Sequence, residues 1–305
     1  MSLEGKRVLI TGSSGFIGRN LIKRLQSEKA DVINVGRNEI PGVYMINKDL
    51  TKTDFSFLDK IDFDYVVHLA GFSSPARAKD KNDTMSLNVD STINFFNKLN
   101  EKNVDKVVFM SSCVVYKTSK DLIKENEALQ DEPDFYAESK MAAERKGLEL
   151  QQSGFPLVIF RLGNCYGPGQ QWKKEDMPTI VPRLITNALI NSENEVYEGE
   201  ALRDYIYVDD VCEGIVRALQ SNYSGVLNLG TGIRTKVQEL AQIIAELTNT
   251  KLKVSKDAKY YNLSTDSIVL DTKRLEKALG WKPETGLREG IAKTIECYKE
   301  VVKKN

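Results

Sequence analysis

Residues 7–25 read RVLITGSSGFIGRNLIKRL, and this stretch decides the fold. Its apolar start predicts a buried β-strand, and the apolar residues spaced three and four apart after Ile17 predict an amphipathic helix. Three glycines stand between them at G-x-x-G-x-x-G spacing. Such a turn directs backbone N–H groups and the positive end of a helix dipole to one point, which favours a bound phosphate.

Each glycine of this turn has its own task. Gly12 makes the turn, Gly15 lets a pyrophosphate approach the backbone, and Gly18 lets helix and strand pack closely. The spacing differs from the usual dinucleotide pattern G-x-G-x-x-G, and a strand-to-helix turn without a ligand is the alternative. We favour dinucleotide binding. The expected contacts are Gly12, Ser14, Gly15, Phe16, Ile17 and Gly18.

The composition is that of an enzyme-sized folded chain without charge bias. Its 305 residues can bury most of their apolar surface, and 43 basic residues balance 43 acidic ones. This balance indicates neither a nucleic-acid nor a membrane partner. No apolar run approaches the roughly 18 residues of a membrane span, and the N-terminus does not read as a signal peptide. We therefore expect a cytoplasmic protein.

The cysteines and the histidine show no metal-ligand spacing. Cys113, Cys165, Cys212 and Cys297 are widely separated, and His68 is the only histidine. We expect no bound metal and reduced thiols, as is usual in the cytoplasm. For His68 we expect a structural role at the end of a strand.

Short apolar runs alternate with helical patterns in the first half of the chain. Strands are predicted near 6–11, 31–35, 43–46, 65–70, 105–112 and 157–162, and helices near 17–28, 84–100 and 136–151. This order predicts a doubly wound α/β domain with a parallel sheet, spanning residues 1–165. Residues 166–305 are expected to form a smaller, interleaved α/β domain that binds the substrate, with segments near 203–232 returning to the first sheet.

The residues after the next strands are expected to contact the cofactor. An acidic residue about 20 positions after the glycine turn favours NAD, but Arg37 follows the second strand here. Its guanidinium can stack on adenine and pair with a ribose phosphate, which favours NADP unless Arg37 is only a solvated loop residue. Further expected contacts are Asp49 and Leu50 near the adenine amino group, and Leu69, Ala70 and Gly71 along the dinucleotide.

A serine, a tyrosine and a lysine form the candidate catalytic group. Ser112 ends the fifth predicted strand, and Tyr136 and Lys140 share one face of the next helix. A free phenol has a pKa near 10, and we expect the Lys140 ammonium and a positive nicotinamide ring to favour the phenolate. Tyr136 would then be the acid/base, Lys140 would hold the ribose hydroxyls, and Ser112 would hydrogen-bond the reacting oxygen.

The motifs together resemble the extended short-chain dehydrogenase/reductases, and within them the nucleotide-sugar epimerase/dehydratase family. The resemblance is carried by Thr11-Gly12-x-x-Gly15-x-x-Gly18, His68-Leu69-Ala70-Gly71, Asn88-Val89-Asp90-Ser91-Thr92, Ser111-Ser112, Tyr136-x-x-x-Lys140, Arg161-x-x-Asn164-x-x-Gly167-Pro168 and Arg203-Asp204-Tyr205-Ile206-Tyr207-Val208-Asp209-Asp210-Val211. It implies an N-terminal Rossmann domain with NAD or NADP, a C-terminal domain for a nucleoside diphosphate sugar, and a homodimer.

The resemblance also assigns roles to single residues. It implies that Ser112, Tyr136 and Lys140 are catalytic, that Asn164 lies near the sugar-nucleotide diphosphate, and that Arg203 reaches the nucleotide's ribose or phosphate. A guanidinium suits such an anion. The alternative for Arg203 is an ion pair with an acid such as Asp209.

The residues after Ser112 bear on the reaction. Sugar 4,6-dehydratases that resemble this chain carry an Asp-Glu pair there, whereas Cys113 and Val114 follow Ser112 here. Neither can move protons as a carboxyl pair does. The expected function is therefore a UDP-sugar 4-epimerase that oxidises the sugar transiently at C4. The alternatives are an NADPH-dependent 4-keto-sugar reductase, which Arg37 favours, and a non-catalytic NAD(P)-binding sensor.

Two further features bear on substrate and assembly. Many relatives carry a late Arg-Pro-Gly-Asp segment whose arginine clamps the diphosphate, whereas residues 259–266 read KYYNLSTD. Either Lys259 replaces the arginine as a point charge, or the substrate carries a different leaving nucleotide or none. The expected dimer would form through the Tyr136 helix and the helix before it. The apolar residues of 84–100 exceed one buried stripe, which fits either a dimer face or the monomer core. They are Leu87, Ile93, Phe95, Phe96 and Leu99.

Overall fold

Strands and helices alternate as predicted in the computed structural model, which describes residues 2–73, 78, 80–171, 179–197, 199–255 and 267–302. The strands are β1 (Arg7–Thr11), β2 (Asp31–Gly36), β3 (Tyr44–Asn47), β4 (Tyr65–His68), β5 (Lys106–Ser112), β6 (Leu157–Leu162), β7 (Asn164–Tyr166), β8 (Glu193–Tyr197), β9 (Leu202–Arg203), β10 (Tyr205–Tyr207), β11 (Gly225–Leu229), β12 (Thr235–Lys236) and β13 (Lys251–Ser255). The helices are α1 (Phe16–Ser27), α2 (Lys81–Met85), α3 (Thr92–Asn100), α4 (Phe135–Gln151), α5 (Ile180–Asn191), α6 (Val208–Leu219), α7 (Val237–Thr248), α8 (Lys273–Leu279) and α9 (Leu287–Val302).

The large sheet has seven parallel strands in the order β11-β6-β5-β4-β1-β2-β3. The chain runs outward from β1 to β3 and then returns to place β4 beside β1. Strand order therefore reverses between β1 and β4, and such a point opens a crevice at the carboxyl ends of the strands. The doubly wound parallel sheet expected from the sequence is confirmed.

Helices cover both faces of the sheet and form its core. On one face α1 buries Leu21, Ile22 and Leu25 against α6. On the other, α3 and α4 pack on β5 and β6. Each fully buried aliphatic side chain contributes roughly 1.5–3 kcal/mol relative to exposure, so these two layers hold the strand ends rigidly in place.

The apolar residues singled out between positions 84 and 100 serve mainly the monomer core. Phe95, Phe96 and Leu99 are fully buried, Leu87 packs partly buried against the same cluster, and Ile93 is half-buried. Their number therefore gives no support to a second contact face, and the homodimer stays a prediction.

The C-terminal part of the chain builds a smaller layer beside the sheet. Helices α5, α7 and α9 share one apolar cluster, and β13 pairs with β8. Strand β11 instead joins the edge of the large sheet, next to β6. The proposed division at residue 165 stays a prediction. No helix in the described residues combines the length and apolarity that a membrane span requires.

Candidate active site

A cleft of about 1260 Å³ opens at the carboxyl ends of the sheet strands. Its volume exceeds the roughly 300–1,000 Å³ of an ordinary small-molecule site, so it can take two large molecules. Its wall contains every residue that the sequence singled out for the site. These are Gly12, Ser14, Gly15, Phe16, Ile17, Gly18, Arg37, Asp49, Leu50, Leu69, Ala70, Gly71, Ser112, Tyr136, Lys140, Asn164 and Arg203.

The glycine turn is shaped to hold a phosphate group. Gly12 has a φ of +72°, and a Cβ there would lie 2.6 Å from the backbone nitrogen of Ala70. A Cβ on Gly18 would lie 2.5 Å from Cα of Ser13. No side chain caps the N-terminus of α1, so the N–H groups of its first turn are available to an anion. The residues of this turn therefore fit a dinucleotide pyrophosphate.

The part of the cleft wall that carries Arg37 and Asp49, where the sequence predicts adenine, is polar. Arg37 is exposed on its wall. The Asp49 carboxylate accepts hydrogen bonds from the backbone N–H of Thr51 at 3.1 Å and from its hydroxyl at 2.7 Å. These two bonds lower the pKa of Asp49, with a smaller contribution from Arg37. Asp49 is thus an ionised acceptor, which suits an amino group.

The start of α4 brings the catalytic candidates together. Asp134 caps this helix by accepting a hydrogen bond from the backbone N–H of Ala137 at 2.7 Å, which places Tyr136 in the first turn. Ser112 lies at the end of β5, on the same stretch of cleft wall. The Nζ of Lys140 donates to the carbonyl of Met110 at 3.0 Å. All three side chains of the group therefore meet at the junction of β5 and α4.

The pKa of Tyr136 differs from the expectation. Burial raises it, and the nearby Ser112 hydroxyl only partly opposes this effect. Burial also lowers the pKa of Lys140, to about 8. The expected contribution of Lys140 to phenolate formation is therefore not met in the protein alone. The physical reason is that burial outweighs the neighbouring groups and that the Lys140 ammonium is directed to the Met110 carbonyl.

Asn164 and Arg203 stand on the opposite wall. The Nδ2 of Asn164 donates to the carbonyl of Asp204 at 3.2 Å, and the Nη1 of Arg203 donates to the carbonyl of Leu202 at 3.0 Å. The cations that act on Asp209 are Lys293 and Lys23, so the alternative ion pair of Arg203 with Asp209 receives no support. Lys259 lies outside the described residues.

A buried carboxylate supports this wall from behind. Asp204 is fully buried and accepts hydrogen bonds from the backbone N–H and hydroxyl of Thr231, both at 2.7 Å. The backbone N–H groups of Gly232 and Leu270 donate to it at 3.0 and 3.2 Å. Burial raises the pKa of Asp204, and these bonds oppose the rise. The sequence contains Asp204 within a family motif, but its role could not be read there.

Other residues of the site were missed. Arg183 of α5 and Tyr197 of β8 line the cleft together with Arg203. Asn34, at the end of β2, accepts a hydrogen bond from the Ser13 hydroxyl and donates to the carbonyl of Asn38 at 3.0 Å. No motif or spacing predicted that these residues line the cleft, because their position there depends on how distant segments of the chain fold together.

Two buried side chains near the cleft, those of His68 and Cys113, are poorly suited to acid/base chemistry. The ring nitrogens of His68 are hydrogen-bonded to the hydroxyls of Thr11 at 2.7 Å and Thr92 at 3.0 Å. Burial lowers the pKa of His68 to about 3, so its ring is neutral. Burial raises the pKa of the Cys113 thiol to about 12, which leaves it protonated and a poor acid/base. Within the described residues, no cluster of His, Cys, Asp and Glu could hold a metal ion.

Similar proteins combine the same fold with this kind of chemistry. A Methanocaldococcus jannaschii protein assigned as a UDP-glucose 4-epimerase is 30% identical, over 96% of this chain and 98% of its own. The dTDP-4-dehydro-6-deoxyglucose reductase of Escherichia coli is 26% identical, over 98% and 99%. The solved structure of MoeE5 with UDP-glucuronic acid and NAD is 28% identical, has a TM-score of 0.84 and covers 97% of this chain and 99% of its own.

The family assignment follows from the extent of the match. The model of the NAD dependent epimerase/dehydratase family matches residues 8–230, which contain the glycine turn, the catalytic candidates and Arg203. Relatives include epimerases, reductases and dehydratases of nucleotide sugars. The match confirms an enzyme type that uses a nicotinamide dinucleotide. The chain belongs to the NAD dependent epimerase/dehydratase family.

Proposed function

We propose that this enzyme is a UDP-sugar 4-epimerase that oxidises the sugar transiently at C4. The observation that carries the proposal is the meeting of Ser112, Tyr136 and Lys140 in the same cleft as the glycine turn and Arg203. The 4-epimerase assignment of the M. jannaschii relative and the UDP-glucuronic acid and NAD of MoeE5 give further support.

Charge supports the placing of the two ligands. The acidic side chains on the described wall of the cleft, Asp49 and Asp83, come from the N-terminal half. The part of the wall built by residues 162–237 carries Arg183 and Arg203. A diphosphate is attracted to such a surface, and guanidinium groups bind it well. The glycine turn, Asp49 and Lys140 would hold the dinucleotide.

The protein's own residues would move the proton. When bound, the nicotinamide supplies the hydride acceptor and donor at C4. Tyr136 takes the proton of the C4 hydroxyl during oxidation and returns it during reduction, while Ser112 donates a hydrogen bond to the same oxygen. Because burial raises the pKa of Tyr136, its phenolate is a strong base toward a sugar hydroxyl once it forms.

Dehydration is disfavoured by the groups beside Ser112. Cys113 is a buried thiol with a raised pKa, and Val114 has no titratable group. A 4,6-elimination needs one group to protonate the leaving hydroxyl and one to remove the C5 proton. Neither Cys113 nor Val114 can fill these roles.

The decisive experiment combines cofactor release with product analysis. The purified protein is denatured and the released nicotinamide identified, and native protein is incubated with UDP-sugars without added cofactor while C4 epimers are quantified. We expect retained NAD and interconversion of C4 epimers. Tyr136→Phe should lower turnover by about 10²-fold or more, whereas Tyr44→Phe, at an exposed tyrosine of β3, should leave it unchanged.

Arg37 favours the second candidate, an NADPH-dependent 4-keto-sugar reductase, because its guanidinium stands on the cleft wall where a ribose phosphate would lie. Protein that releases no nicotinamide and consumes NADPH in step with a 4-keto nucleotide sugar would support this candidate and contradict the epimerase. Full activity of Tyr136→Phe would contradict both.

We also propose a homodimer that forms through α3 and α4. The number of apolar residues does not call for a partner surface, but Ile93 of α3 is apolar and only half-buried in the monomer, so a second copy could cover it. Sedimentation analysis should give twice the chain mass, and Ile93→Glu should give monomers. A monomeric wild type would contradict the proposal.

A further inference from the structure

We propose that Glu144 is a positioning residue of the catalytic group, whose buried carboxylate holds the end of β5 against α4 and places a negative charge one helical turn from Lys140. The proposal rests on the functions proposed above for Ser112, Tyr136 and Lys140. Glu144 does not line the cleft, so it would act through these residues.

Glu144 continues the catalytic face of α4. It lies one turn after Lys140 and two turns after Tyr136, which places all three on one side of the helix. It is only 2% exposed. The hydroxyl of Ser111, the neighbour of Ser112, donates a hydrogen bond to its carboxylate. The Glu144 carboxylate of α4 thus contacts β5, the strand that ends at Ser112.

Arg161 of β6 forms an ion pair with this carboxylate and fixes its position. Its Nε lies 3.1 Å from both carboxylate oxygens and its Nη2 lies 2.7 Å from Oε2. Its Nη1 donates to the carbonyl of Glu125 at 3.1 Å, and the guanidinium stacks on the ring of Tyr116 at 4.7 Å. Glu125 and Tyr116 therefore hold Arg161 in place independently of Glu144, and Arg161 in turn fixes the position of the Glu144 carboxylate.

A purely structural role explains this pair poorly. Removing two charges from water costs several kcal/mol, and buried ion pairs can often be replaced by apolar residues without loss of stability. Glu144 nevertheless lies one helical turn from Lys140 and accepts a hydrogen bond from Ser111, the neighbour of Ser112. Its position is explained if the charge of Glu144 acts on Lys140.

Among the described residues, Glu144 is the group that acts on Lys140 with a negative charge. The Lys140 ammonium contacts the Met110 carbonyl and lies 5.1 Å from the centre of the Phe109 ring on β5. His68 of β4 is neutral, and the phenol of Tyr136 on its own helix is protonated. Burial lowers the pKa of Lys140 and Glu144 raises it, with a result of about 8. Without Glu144 the amine would lose its charge at a lower pH.

The proposal is tested by titrating Lys140 directly. The lysine Cε signals are followed by NMR against pH, with the Lys140 signal identified by its absence in Lys140→Arg. We expect titration near pH 8 in the wild type and a pKa lower by about one unit or more in Glu144→Gln. The alkaline limb of the kcat profile should move down with it, and Glu144→Asp should restore part of the shift.

Two further variants separate charge from folding. Glu144→Gln alone leaves Arg161 buried without its partner, which can unfold the protein, so the double variant with Arg161→Gln is measured as well. Its Lys140 pKa should lie below the wild-type value but above that of Glu144→Gln, because the double variant also lacks the Arg161 cation. Ser111→Ala removes a hydrogen bond but no charge and should leave the Lys140 pKa unchanged. A Lys140 pKa that stays near 8 in the folded double variant would overturn the proposal. The titration needs no substrate, so its result is independent of which reaction the enzyme performs.

Discussion

Replacing Gly18 by alanine should weaken dinucleotide binding at the glycine turn while leaving the protein folded. A Cβ at this position would lie 2.5 Å from Cα of Ser13 and 2.6 Å from the carbonyl oxygens of Gly12 and Ser13, against at least 3.4 Å for ordinary contact. All three are backbone atoms and cannot rotate away, so α1 must move off the turn. Overpacking of this kind costs about 1–3 kcal/mol.

Alanine offsets part of the overpacking cost, so the variant should lose more in dinucleotide binding than in stability. Alanine gains about 1 kcal/mol over glycine inside a helix, so we expect a melting temperature only a few degrees lower. The displaced N–H groups no longer converge on the pyrophosphate. A loss of about 1.4 kcal/mol in binding corresponds to a tenfold weaker Kd, and we expect at least this effect.

The affinity for NADH is measured by fluorescence titration after any retained nicotinamide has been removed. Gly286→Ala is the matched control, because a Cβ there would meet no atom within 4 Å and Gly286 does not line the cleft. It should bind NADH like the wild type. Unchanged NADH affinity in Gly18→Ala would refute the role given to the turn.

Three other predictions test the surroundings of the site. His68 has a pKa of about 3 in the folded protein against about 6.5 when unfolded. Below pH 6.5 the unfolded chain therefore takes up a proton that the folded one does not, and stability should fall by up to about 1.4 kcal/mol per pH unit. Urea unfolding of the wild type at pH 7 and 5.5 measures how the unfolding free energy changes with pH, and in His68→Gln this change should be smaller by the contribution of His68. A His68 NMR resonance that titrates near pH 6.5 in the folded protein would contradict the prediction. Asp204→Asn replaces one acceptor oxygen by a donor facing the N–H groups of the loops it holds, and should cost about 1–3 kcal/mol of unfolding free energy; an unchanged urea midpoint would count against that support. Arg37→Ala should weaken NADP binding about tenfold and NAD binding far less, since only NADP carries a 2′-phosphate on its adenosine ribose for the guanidinium; equal losses for both dinucleotides would remove Arg37 from cofactor selection.

The sequence by itself determined the features that depend on a short stretch of chain. The strand, turn and helix of residues 7–25 follow from local periodicity and from three glycines. The shared face of Tyr136 and Lys140 follows from the pitch of one helix. Because buried strands alternated with helices, the parallel sheet could be predicted as well.

Only the tertiary structure decided what surrounds those residues. Burial raises the pKa of Tyr136, whereas the sequence suggested that the neighbouring Lys140 would favour its phenolate. Glu144 meets Ser111 and Arg161 because α4, β5 and β6 pack together. Desolvation and ion pairing depend on atoms contributed by distant segments, and no local pattern of residues specifies which segments those are.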